Sequence, residues 1–252
     1  MSNRELIASY NHHSILFVDA IGQEFLFSGD VSAFDVWLAK AVYPIVIDPD
    51  FTESTNDGFI RGQDTSYAIA RSTSGYFDIA GTTIRVGQLF SSPNYSVWRG
   101  FLKFDTSAIG AGSVVNQVNL NLVATNDNSS TDFDVQIVKQ VWSAQDPLTS
   151  GNKETAYDNC LSGTLDSSIW RNTSGMSLNT QYVSGNLDNS WINKVGNTYY
   201  SLRSSRDYSN TTPTGGEDIQ IASQDNSTVA YRPTLTVVYS AGSAFIPKII
   251  II

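Results

Sequence analysis

A chain of 252 residues, 41% apolar and 12% aromatic, carries enough apolar side chain for a substantial core and too much to stay solvated as a disordered chain. Its 24 acidic against 15 basic residues leave a formal net charge of -9, which opposes attraction to a phosphate backbone or an anionic membrane, so neither nucleic acid nor membrane is expected as a partner. Cys160 is the single cysteine, so no intrachain disulfide can form and stability has to come from packing.

In chain order, residues 1–7 lack the apolar core and cleavage site of a signal peptide, and general secretion is not expected from them. His12 and His13, the only histidines, point to opposite sides if extended. They read as solvated or capping groups, since a metal site would need further converging ligands. Ile15-Leu16-Phe17-Val18 and Glu24-Phe25-Leu26-Phe27, separated by a turn, predict a β-hairpin over residues 14–27. Ser32 can cap a short helix, with Asp35 at the capping-box position and Phe34, Trp37, Leu38 and Ala41 at helical spacing. Pro44 ends that helix, and the stretch between Pro44 and Pro49 is held extended as a junction. Residues 1–43 therefore read as a small docking region.

Residues 44–240 carry the strand period. Arg99-Gly100-Phe101-Leu102-Lys103-Phe104 predicts a buried strand, a polar turn follows through Ile109, and Val118-Asn119-Leu120-Asn121-Leu122 predicts a second, amphipathic strand. Gly110-Ala111-Gly112 between them is no nucleotide loop, because a strand follows it and not a helix. Phe133, Val135 and Ile137, then Ile219 and Ile221, then Leu235, Val237 and Tyr239 each line one face of a strand, and two sheets packing such faces make a sandwich. Asp132 and Asp134 share one side of a strand, so calcium is the one cofactor weighed; the loop lacks the EF-hand order, a solvated acidic turn is expected, and no cofactor is assigned. The stretch 143–168 reads as a long loop, in which Cys160 is a partly buried thiol with no activating base. A helix is predicted over residues 187–195, capped by Asp188 or Asn189 and closed by Gly196. Arg203, Arg206 and Asp207 form a charged cluster read as a structural ion pair. With no histidine inside this region and no opposed carboxylate pair identifiable, no catalytic residue and no enzymatic activity are expected. The sequons at Asn128, Asn172 and Asn226 follow from an Asn/Ser/Thr-rich composition.

Residues 241–252 form a spacer and an apolar tail, Phe245-Ile246-Pro247-Lys248-Ile249-Ile250-Ile251-Ile252, too short for a membrane helix. Two readings stay open. The tail is a last strand on its own sheet, or it adds to a neighbouring subunit's sheet, because consecutive β-branched residues left in water invite aggregation.

Arg99 to Leu122, the later Tyr200-Ser201-Leu202-Arg203-Ser204-Ser205 and the closing Tyr231-Arg232-Pro233-Thr234-Leu235-Thr236-Val237-Val238-Tyr239 resemble the ordered pattern of DNRLRE-type β-sandwich modules. That resemblance implies an all-β jelly-roll β-sandwich, a fold of carbohydrate-binding modules and of virion or cell-surface structural proteins. The function expected from these features together is a non-enzymatic virion component, a bacteriophage capsid decoration protein or head fibre at the virion surface. It would dock through Phe34, Trp37 and Leu38 or through Phe245, Ile246, Ile249, Ile250, Ile251 and Ile252, on the major capsid or another virion protein, as a homo-oligomer. The alternative is an extracellular or cell-surface carbohydrate-binding module, for which Tyr95, Trp98, Trp142, Trp170 and Tyr208 would stack on a glycan. Burial of each ring as a core plug is the competing reading.

Overall fold

The computed structural model describes residues 10–11, 14–18, 24–28, 46–47, 50–52, 57–139 and 141–240. The chain falls into two compact units, Met1–Ile47 and Asp48–Ile252. In the first, β1 (Tyr10–Asn11), β2 (Ser14–Val18) and β3 (Glu24–Ser28) form an antiparallel sheet, with β2 and β3 in register from Ser14 opposite Ser28 to Val18 opposite Glu24. The expected hairpin is present. The strand β4 (Val46–Ile47) ends the unit. The helix expected over residues 32–41, the two histidines and the apolar tail lie outside the described residues. The docking residues Phe34, Trp37, Leu38, Phe245, Ile246, Ile249, Ile250, Ile251 and Ile252 lie outside them too.

The second unit is all-β and sandwich-like, a curled antiparallel sheet with a few short helices. Its strands in chain order are β5 (Asp50–Thr52), β6 (Gly58–Asp64), β7 (Ser74–Asp78), β8 (Thr83–Ser91), β9 (Asn94–Asp105), β10 (Val114–Asp127) and β11 (Asp134–Lys139). β12 (Leu165–Asn172), β13 (Gln181–Val183), β14 (Asn197–Ser204), β15 (Gly216–Ala222) and β16 (Thr234–Ser240) follow. The curl comes from two long strands that change partners. Along one edge, β9 pairs with β8 from Asn94 to Trp98 and with β14 from Gly100 to Asp105, while β6 lines its other edge. Arg99 thus stands where the sheet forks. β10 pairs with β16 up to Asn121 and with β15 from Ala124 to Asp127, a ladder broken by a register shift between Ala124 and Asn126. Such shifts bend a strand and increase its twist.

The alternating runs pack as their period requires. Phe133, Val135, Ile137, Ile219, Ile221, Leu235 and Val237 are all buried. On β10 both faces are covered: Asn119 and Asn121, expected on an outer face, are buried as well. Each is satisfied, Asn119 donating to the Ser184 and Gly185 carbonyls and Asn121 to the Thr234 and Thr236 hydroxyls.

Two sequence expectations need correction. The stretch 143–168 is no plain loop: α2 (Lys153–Ser162) sits within it, while α1 (Tyr67–Ser72) and α3 (Ser205–Tyr208) flank other strands. Ala156, Tyr157 and Cys160 of α2 pack with Ile60, Phe101, Val138 and Trp142 in one apolar cluster. Conversely, the helix expected over residues 187–195 is a single 3-10 turn, Asn189–Trp191, capped by Asp188. Val195, on the expected apolar stripe with Leu187, Trp191 and Ile192, is 65% exposed, and Ile192 is already extended. Gly196 is not left-handed; the Thr106 hydroxyl donates to the carbonyls of Asn193 and Gly196 and holds this corner to the end of β9.

Candidate functional site

The densest set of charged groups among the described residues lies inside the sandwich. Arg99, fully buried at the fork of β9, meets Asp207 of α3 in a two-pronged pair, Nε to Oδ2 at 2.9 Å and Nη2 to Oδ1 at 3.1 Å. Its remaining donors reach the Tyr157 and Arg71 carbonyls, both at 2.9 Å, and its guanidinium carbon lies 3.9 Å from the centre of the Tyr157 ring. Arg71 donates to Asp207 at 3.0 Å and Arg203 stands 3.3 Å from it. Arg203 also donates to the carbonyls of Cys160 and Leu161 in the last turn of α2, where the helix dipole favours a cation. Burial raises the Asp207 carboxyl, but Arg99, Arg203 and Arg71 outweigh it and hold the group below its ordinary value.

Arg206 does not join this cluster. It pairs with Glu217 at 2.6 Å, and Gln88 links Glu217 to the Tyr67 hydroxyl. Cys160 is fully buried, not partly, and burial pushes its thiol up, away from the thiolate a nucleophile needs. Arg99, Arg203, Asp207 and Cys160 are buried, while Arg71 and Arg206 are partly exposed, and the cluster fastens α1, α2, α3 and β9 together.

The aromatic residues considered for glycan stacking do not form one platform. Trp142 is fully buried, its ring edge-on to Phe101 and Tyr199 and its Nε1 donating to the Tyr200 carbonyl. Trp170 is buried with Nε1 on the Tyr182 carbonyl, and Trp98 is buried beneath the Arg85 guanidinium, 3.7 Å from its ring centre. These three are core plugs with no free face. Tyr95 is half-buried between Phe90 and Tyr67. Tyr208 is 54% exposed, its ring 5.2 Å from the Arg203 guanidinium.

The acidic turn is likewise committed to the fold. Asp132 accepts from the Thr173 hydroxyl, Asp134 from the Asn172 amide, and Asp127 from the Ser129 backbone. Among the described residues no three His, Cys, Asp or Glu side chains gather as metal ligands, and no helix is long and apolar enough to cross a membrane.

One groove open to solvent, of about 680 Å³, lies beside the end of β11 and the start of β12. Lys139, Thr164 and Ser167 stand on the strand side, and Asn186, Asp188 and Asn189 on the 186–191 turn. Leu165, Leu187 and Trp191 supply its apolar lining. The turn is fixed by its backbone: Asp166 accepts from the N–H groups of Ser168 and Asp188, Asn186 accepts from Val118 N–H, and Asp188 caps Ser190. The Ser190 hydroxyl and N–H, aided by Lys139, hold the Asp188 carboxyl below its usual value. Asn189 donates its amide to the Val115 carbonyl at 3.3 Å, while its buried Oδ1 has no hydrogen-bond partner. None of these residues was singled out as a site from the sequence, where residues 187–195 read as an amphipathic helix. An Asn-Leu-Asp-Asn run was the available signal, and it suits a hydrogen-bonding turn as well as a cap.

No family model matches the chain, and no curated protein matches it.

Proposed function

We propose that the chain is a non-enzymatic structural protein of a virion surface, a decoration or head-fibre component whose β-sandwich is displayed outward. One observation carries its non-enzymatic character: the groups with the strongest chemistry, Arg99, Arg203, Asp207 and Cys160, are all buried and spent on internal contacts. The surface that remains is rich in amides and hydroxyls. The assembly role is supported by the apolar segments at both ends of the sequence and by the resemblance of Arg99 to Tyr239 to modules found on virions and cell surfaces.

Deleting residues 245–252 tests the docking role. The truncated protein should keep its sandwich, seen as an unchanged thermal unfolding transition, yet fail to assemble into or attach to particles. Full attachment after separate deletion of residues 32–41 and 245–252 would count against docking through either end.

A second reading, a carbohydrate-binding module, is favoured by one feature, the polar groove between Lys139 and Asn189. The two readings are compatible on one particle.

A further inference from the structure

We propose that a second copy of this chain docks on one pole of the sandwich, around the exposed Val114 and Val195, so that the protein self-associates through this face with the apolar segment 245–252 beside the contact. The proposal rests on the assembly reading and names the surface and the partner.

Three pieces of chain build this pole. The turn from Thr106 to Ser113 leads into β10 at Val114, the 193–196 corner lies against that turn, and β16 finishes with Ser240 opposite Val114. Hydrogen bonds lock the first two together: Gly110 N–H donates to the Lys194 carbonyl at 2.8 Å, Thr106 N–H to the Gly196 carbonyl at 3.2 Å, and Lys194 Nζ to the Ser113 carbonyl at 2.7 Å. A face held in this way needs little ordering when a partner arrives. Its apolar groups meet solvent: Val114 is 59% exposed and Val195 65%, and Ala108 and Ala111 are exposed on the adjoining turn. A single exposed apolar residue is ordinary, but these four sit on segments bonded to one another and make one patch.

Charge selects the partner. From Thr106 to Asn126 the sequence carries no charged residue, and Lys194, the one charge in the 193–196 corner, is engaged by the Ser113 carbonyl. The carboxylates that flank these segments in sequence, Asp105 and Asp188, each accept from a neighbouring serine N–H, those of Ser107 and Ser190. Copies of a chain with a net charge of -9 repel one another in most orientations, and a face built without carboxylates is where two of them meet with least repulsion. A partner of opposite charge would be held by ion pairs that this face does not offer.

The chain that follows β16 gives the second argument for a like partner. After Ser240 the spacer Ala241-Gly242-Ser243-Ala244 leads to Phe245, which lies at most about 18 Å from Ser240 at ~3.6 Å per residue. The segment 245–252, with its five isoleucines, is therefore tethered to the pole that carries the exposed valines. Left in water, such a run of β-branched residues invites strand pairing between chains. In a two-fold pair each copy brings both the patch and the segment, so one contact covers the valines and the isoleucines of both.

The test is the mass of the full-length chain in solution, measured by sedimentation over a range of protein and salt concentrations for the parent, Val114→Glu, Val195→Glu and the control Val183→Glu. Val183 is 58% exposed but stands on β13, opposite Asn121 and away from the pole. All three positions are exposed, so each variant should fold, seen as an unchanged circular dichroism spectrum. The proposal expects a parent heavier than a monomer, association that strengthens as salt screens the repulsion, and a roughly tenfold or greater weakening in each pole variant while Val183→Glu leaves it unchanged. A monomeric parent overturns the proposal; if that monomer is nevertheless found on particles, the assembly reading outlives it. Association that persists in both pole variants, or that falls equally in Val183→Glu, overturns the face, and association that salt weakens overturns a contact free of charge.

Discussion

Asp207 is the residue on which the interior depends most. A single carboxylate faces Arg99, Arg71 and Arg203, and removing it leaves buried guanidinium groups without their counter-charge. Loss of one partner of a buried pair costs about 3–5 kcal/mol. Asp207→Asn should therefore lower Tm by roughly 10 °C, given ~2–4 °C per kcal/mol for a domain of this size. The pH dependence has a definite sign. Because the folded carboxyl lies below its unfolded value of about 3.9, its contribution is complete above that value and fades as pH falls through the folded one. Asp207→Asn should flatten that part of the acid limb in denaturant titrations at successive pH values; an unaltered limb would remove Asp207 from the account. Cys160 gives a second check: a thiol-specific reagent should leave it unmodified in the native protein and label it promptly in denaturant. The sequence showed Arg203 and Asp207 four residues apart, but their principal partner, Arg99, is 108 residues from Asp207 along the chain. Nothing local could announce that pairing, and the same locality misled for Arg206, which turns to Glu217 instead.

At the scale of elements, strands were legible wherever period-2 alternation ran against a single core, as at Phe133 to Ile137 and Leu235 to Tyr239. Helices were not. α2 buries Ala156, Tyr157 and Cys160 amid polar residues, a weak stripe whose helical state is supported by tertiary contact, including the Tyr157 hydroxyl donating to the Ala70 and Val97 carbonyls. The 187–195 segment fails in the opposite way: its apolar residues stand at helical spacing, but the chain turns only once, Ile192 is extended and Val195 is left exposed. Close strand approach makes a separate demand at Gly87 of β8. With φ at +126°, an added Cβ would sit 2.2 Å from the Glu217 carbonyl oxygen on β15. Gly87→Ala should cost of order 1–3 kcal/mol, read as a lower urea midpoint with an unchanged slope; a midpoint matching the parent would show that β8 and β15 separate easily there.

For the whole molecule, the charge balance matters. The chain carries 24 acidic against 15 basic residues, a net charge of -9, and two of its arginines, Arg99 and Arg203, are buried, a distribution that opposes binding of an anionic polymer. The parent should show no salt-sensitive retention on immobilised duplex DNA; retention that falls steeply with salt would contradict that distribution. The edge strand β7 is blunted as well: Glu154 accepts from Ser74 N–H and Lys153 donates to the Gly75 carbonyl, groups that would otherwise invite a foreign strand. Fold class was thus readable from alternation and composition, whereas the groove was not, since it is built where β11, β12 and a misread turn converge. The central claim, a structural component of a virion surface, meets its most direct test in quantitative mass spectrometry of density-purified particles from cultures that make the protein. The account predicts the chain at a fixed, repeated copy number per particle, accessible to surface proteolysis; its absence from particles, with the protein recovered as a free monomer, would contradict it.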